Sequence, residues 1–64
     1  MPKTDVTVKL VGENGNVFNL GAIVSRALER AGYKEEAKQM QADVMACESY
    51  DEALMVFMNY VEVE

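Results

Sequence analysis

Val6-Thr7-Val8-Lys9-Leu10-Val11, followed by Gly12-Glu13-Asn14-Gly15-Asn16, is the stretch on which the fold turns. Val6, Val8 and Leu10 alternate with Thr7 and Lys9, the two-residue period of a strand with one buried face. Gly12 and Asn14-Gly15 end it. Asn-Gly is a strong hairpin signal, so Val17-Phe18-Asn19-Leu20 is a candidate returning strand. A two-residue turn would set Val17 opposite Gly12 and Asn19 opposite Leu10, and the apolar face of Val8 and Leu10 would be spoiled. A helix fits better. Leu20, Ile23, Val24, Ala27, Leu28 and Ala31 recur at the i, i+3, i+4 spacing of one helix face. Asn16 or Asn19 can cap its start, and Gly32 stands where a C-terminal glycine belongs. Arg26 and Arg30 lie in its last turns, where cations suit the helix dipole.

Beyond Gly32 a second helix is expected from about Lys34 to Cys47, with Ala37, Met40, Val44 and Cys47 as a narrow apolar stripe and Glu35 and Glu36 at its N-terminus. Ser49-Tyr50-Asp51-Glu52 has the spacing of a capping box and opens a third helix. The body of that helix, Ala53 to Val61, has a single polar residue, Asn59, and so asks for cover on more than one side. Val61-Glu62-Val63-Glu64 alternates again as a short C-terminal strand. A lone N-terminal strand needs a partner. Tyr60–Glu64 of the same chain, the equivalent strand of a second chain and the disfavoured Val17–Leu20 return are the options. The first gives an α+β domain in the order β-α-α-α-β, with residues 1–64 as one small single domain.

Sixty-four residues, half of them apolar, make an ample core for so short a chain. A domain of this size buries only about 60% of the surface its unfolded chain exposes, and a small core rarely leaves more than about 3–5 kcal/mol of net stability without a staple. Cys47 is the only cysteine and there is no histidine, so neither a disulfide nor a histidine-based metal site is available within the chain. Self-association is the most available further source of burial. The N-terminus lacks the apolar core of a signal peptide, and Ala53–Val61 is about half the length a bilayer requires. These features point to a cytoplasmic protein with no membrane partner.

The net charge of −5 is unevenly divided. Residues 1–34 carry Lys3, Lys9, Arg26, Arg30 and Lys34 against Asp5, Glu13 and Glu29, a balance of +2, and residues 35–64 carry Lys38 against eight acids, a balance of −7. So acidic a chain is a poor direct binder of nucleic acid. The division suits complementary self-association or a basic partner, and it also suits mimicry of nucleic-acid charge. Its plainest explanation is ordinary solvated helix faces.

Val8-x-Leu10-Val11-Gly12-x-x-Gly15-Asn16-x-Phe18, Val24-x-x-Ala27-Leu28-x-x-Ala31-Gly32, Ser49-Tyr50-Asp51-Glu52-Ala53-Leu54 and Tyr60-Val61-Glu62-Val63 together resemble a family of short uncharacterised bacterial and phage proteins. The resemblance spans almost the whole chain. It implies a self-contained cytoplasmic domain, often of mobile-element origin, and carries no activity or functional residue with it.

Four sets of residues bear on function. Gly12, Gly15 and Asn16 precede a helix N-terminus, where free amides favour anions. With Arg26 or Arg30 they would form a small anion or nucleotide site. Against this, the loop matches neither nucleotide fingerprint, holds no Lys or Arg, and places Glu13 where an anion would sit. A structural turn accounts for it more simply. The acidic cluster Asp43, Glu48, Asp51 and Glu52 lacks the oxygen-ligand spacing of a calcium loop. Cys47, Ser25 and Ser49 have no histidine base, so the chain does not read as an enzyme and implies no cofactor. Met55, Phe57, Met58 and Tyr60 sit on the over-apolar third helix, where methionine fills either a core or an adaptable interface. The leading expectation is a non-enzymatic protein-interaction module forming a homodimer through that helix. The anion or nucleotide binder is the second, and an acidic phage-type inhibitor of a host nucleic-acid-binding factor is the third.

Overall fold

A computed structural model describes residues 2–10 and 15–64. Val11, Gly12, Glu13 and Asn14 lie outside the described residues, so the Gly12 part of the candidate ligand loop does too. The element order is β1 (Thr7–Val8), α1 (Val17–Arg30), α2 (Lys34–Met45), α3 (Tyr50–Tyr60) and β2 (Glu62–Val63). This is the α+β arrangement expected from the sequence, with Val17–Leu20 opening a helix and not a returning strand.

The N-terminal strand finds its partner at the C-terminus of the same chain. β1 and β2 run parallel, with Thr7 opposite Glu62 and Val8 opposite Val63. Hydrogen bonds lengthen the pairing on both sides: the Lys3 amide donates to the Asn59 carbonyl at 2.8 Å, Glu62 to Val6 at 2.8 Å, Glu64 to Val8 at 2.9 Å and Leu10 to Glu64 at 2.7 Å. Thr4 adds a side-chain clamp, its Oγ1 donating to the Tyr60 carbonyl at 2.6 Å and accepting the Val6 amide at 3.2 Å. A two-stranded sheet is marginal alone. Here Val8 and Val61 are buried in the core that the helices supply.

Local chemistry marks both ends of α1 and the start of α3. Asn16 caps α1, its side-chain oxygen accepting the Phe18 amide at 2.8 Å. Gly32, at φ 93°, closes α1 in a conformation that costs a side chain steric strain. The Gly32 and Tyr33 amides then return to the Glu29 and Leu28 carbonyls at 3.0 and 2.8 Å, the paired bonds of a Schellman ending. Ser49 caps α3 by accepting the Glu52 amide at 3.2 Å, as its spacing predicts.

Leu20, Val24 and Leu28 of α1, Ala37 and Met40 of α2, and Phe57 and Tyr60 of α3 meet in one core with Val8 and Val61. Gly21 of α1 faces the Phe57 ring of α3, and a methyl added there would lie 3.9 Å from it, an ordinary contact. Ala53, Phe57, Tyr60 and Val61 therefore find their cover within one chain, whereas Met55 and Met58 remain exposed. No helix among the described residues is long and apolar enough to cross a membrane.

Candidate functional site

Among the described residues the four most exposed large apolar side chains lie in two places. Met55 and Met58 project from the outer face of α3, 62% and 52% exposed. Phe18 and Met45 are more exposed still, at 76% and 77%, and they stand together at the rim of one groove. That groove, a cavity of about 260 Å³, runs between the first turns of α1 and the last turns of α2. Gly21 and Ala22 form its α1 wall with Val17 and Phe18, Gln41 and Met45 its α2 wall, and Met40 belongs to its floor. It continues past Cys47 and Glu48 to Tyr50 at the start of α3.

Local sequence builds this shape. The core stripe of α1 runs through Leu20, Val24 and Leu28, leaving Phe18 and Ala22, four residues apart, on the flank. On α2 the buried residues Ala37 and Met40 turn inward, and Lys38, Gln41 and Met45 follow one another along the side next to α1. Gln41 Nε2 donates to the buried Ser25 hydroxyl at 2.8 Å and fixes the two antiparallel helices in register. Small residues at Gly21 and Ala22 leave the hollow beside the Phe18 ring.

The residues singled out from the sequence fare unequally. Phe57 and Tyr60 are enclosed in the domain, at 0% and 1% exposure, so only Met55 and Met58 of the third-helix set reach the surface. The helix wheel of Ala53–Val61 could not tell which side neighbours would cover. The described residues of the anion-site set are not gathered. Arg26 and Arg30 follow Asn16 by ten and fourteen positions along α1, roughly 15 and 21 Å at the helical rise. The Asn16 side chain is committed to its capping bond, and Gly15 packs beside Tyr50, where an added Cβ would lie 3.3 Å from the hydroxyl. The acids of residues 35–64 are also dispersed. Glu35 and Glu36 open α2, whereas Glu48, Asp51 and Glu52 lie beyond its far end, roughly 18 Å away along a 12-residue helix.

A second polar constellation surrounds Tyr60. Its hydroxyl donates to Asp43 Oδ2 at 2.7 Å and accepts from Lys3 Nζ at 3.4 Å, and the Lys3 ammonium lies 4.6 Å from the ring centre. Burial, then the bond to Asp43, push the Tyr60 hydroxyl up to about 12. The Tyr60 and Gln39 hydrogen bonds hold the Asp43 carboxyl below its ordinary range. These shifts oppose proton transfer between the pair near neutral pH, and the group acts as a clamp joining the N-terminal segment, α2 and α3. Cys47 donates its thiol to the Asp43 carbonyl at 3.3 Å, and burial followed by the Glu52 and Asp43 charges raises its pKa. A thiol so placed carries little thiolate at neutral pH and is a weak nucleophile.

Neither Phe18 nor Met45 was among the contact residues expected from the sequence. A signal for them existed: Phe18 falls about 200° around the helix from Leu20, and Met45 falls about 100° from Val44, off the buried stripe in each case. No protein-family model, no curated protein and no solved structure matches the chain.

Proposed function

We propose that the chain is a small non-enzymatic protein-interaction module whose contact surface is the groove rimmed by Phe18 and Met45. One observation carries the reading: the two most exposed large apolar side chains among the described residues stand together at the rim of a single hollow. Large apolar side chains scattered singly over a surface need no explanation, but a contiguous apolar patch around a concavity is the usual form of a binding surface. Methionine and small residues along its walls suit a partner side chain that must be accommodated without strain. Self-association through the outer face of α3 has less in its favour, since it rests on Met55 and Met58 alone.

The test uses protein carrying 13C-labelled methionine methyl groups, observed in concentrated extract of the native host. The Met45 methyl is expected to shift or broaden while Met55 and Met58 hold their positions, and Phe18→Asp is expected to abolish the change. A Met45 resonance unmoved by extract, and unmoved by the protein's own concentration, would overturn the assignment.

A further inference from the structure

Resting on that reading, we propose that the occupant of the groove is a second copy of this chain, docked about a two-fold axis close to Gly21 and Ala22. Each copy carries both halves of the fit. Phe18 is an exposed aromatic knob, and the hollow beside it, cleared by Gly21 and Ala22, is a hole into which an aromatic ring can enter. A two-fold contact is self-complementary, so knob and hole on one patch are what it requires.

Charge along the same flank points to the same occupant. Glu48 lines the groove at the end where α3 begins, and Asp51 and Glu52 follow in the first turn of α3. At the other end the α1–α2 flank carries exposed Arg26, Lys34 and Lys38, with Glu29 offsetting part of that charge. Among the described residues Arg26, Lys38 and Glu48 make no ion pair within the chain. The first turns of α1 lie beside the last turns of α2, so acidic and basic ends lie at opposite ends of one face. A two-fold rotation sets Glu48 of each copy toward Lys38 and Arg26 of the other, twice per dimer. A basic partner would meet Glu48 favourably but Lys38 and Arg26 with repulsion, and an acidic one the reverse.

Area requires both ends to take part. A standard interface takes about 800 Å² from each partner, roughly a fifth of this chain's 4371 Å². Phe18 and Met45 alone cannot supply that much, so the contact must extend along the flank from Glu48 to Lys38. Neighbouring charges then decide orientation more than strength.

Sedimentation equilibrium of the purified chain tests this. The native protein is expected to be a dimer at micromolar concentration. Ala22→Arg, which fills the hollow from an exposed position, and Phe18→Asp are each expected to give a folded monomer, checked by unchanged circular dichroism and thermal midpoint. Lys38→Glu and Glu48→Lys are each expected to weaken dimerisation about fivefold, and the double reversal to restore most of it. A native protein still monomeric at about 1 mM overturns the proposal, and so does a dimer that tolerates Ala22→Arg. If the native chain is monomeric while Met45 still responds to host extract, the docking surface stands and only its occupant has been misidentified.

Discussion

The inner face of α3 and the α1–α2 groove are both rich in large apolar side chains, yet the fold treats them in opposite ways. Phe57 and Tyr60 are enclosed by α1, α2 and the paired strands, whereas Phe18 and Met45 face water beside a hollow. The richer apolar run is the one the domain consumes. Hydrophobic density along a chain records how many neighbours a segment needs, and an open contact surface is found where an apolar residue falls off the stripe that packs inward. Phe57 belongs to stability on this view, and Phe18 to association.

Substitution at Phe57 breaks the comparison hardest. Phe57→Ala should cost about 3–5 kcal/mol, comparable to the whole net stability expected of so small a core. Denaturant titration should find the variant largely unfolded. A folded Phe57→Ala chain that merely fails to associate would return α3 to the role of interface. Phe18→Asp should behave in the opposite manner, changing stability by no more than about 0.5 kcal/mol while abolishing self-association in sedimentation.

Smaller effects sharpen the account of what holds α3 in place. Tyr60→Phe removes the bond to Asp43 and should cost about 1–2 kcal/mol, read as a shift in denaturant midpoint at constant slope. The same pair sets the pH limits. The Asp43 pKa is depressed in the folded chain, so its contribution is complete above the ordinary carboxylate value and is lost as pH falls below about 4. Tyr60 is raised, so its contribution is complete below its ordinary value near 10 and is lost as pH climbs toward about 12. Thermal midpoints across pH should fall at both ends in the native chain, and the alkaline fall between those values should be smaller in Tyr60→Phe. Gly32→Ala should cost about 1–2 kcal/mol through its positive φ alone, and Ser49→Ala about 1 kcal/mol through the lost cap.

Much of the fold was legible because its punctuation is local. Asn16, Gly32 and Ser49 mark helix ends by chemistry that acts within a few residues, and the alternation in Val6–Leu10 marks a strand wherever its partner lies. The pairing of β1 with β2 was legible only as one of several options, since it depends on a contact between opposite ends of the chain. The functional surface was the least legible. The composition of Ala53–Val61 states that cover is needed and is silent on whether a neighbouring element or a second chain provides it. Phe18 and Met45 look ordinary in sequence, and their importance appears only when α1 and α2 are set side by side. Arg26 and Arg30 illustrate the converse: ten and fourteen positions along α1 separate them from Asn16, with which sequence reasoning had grouped them.

The most direct test of the division between α3 as core and the Phe18–Met45 groove as contact surface is a dilution series of purified protein with 13C-labelled methionine methyl groups. Met45 is expected to shift with protein concentration while Met55 and Met58 stay fixed and Met40 keeps the dispersed shift of a buried methyl. Concentration-dependent shifts at Met55 and Met58 with Met45 unmoved would contradict the account and place the interface on the outer face of α3.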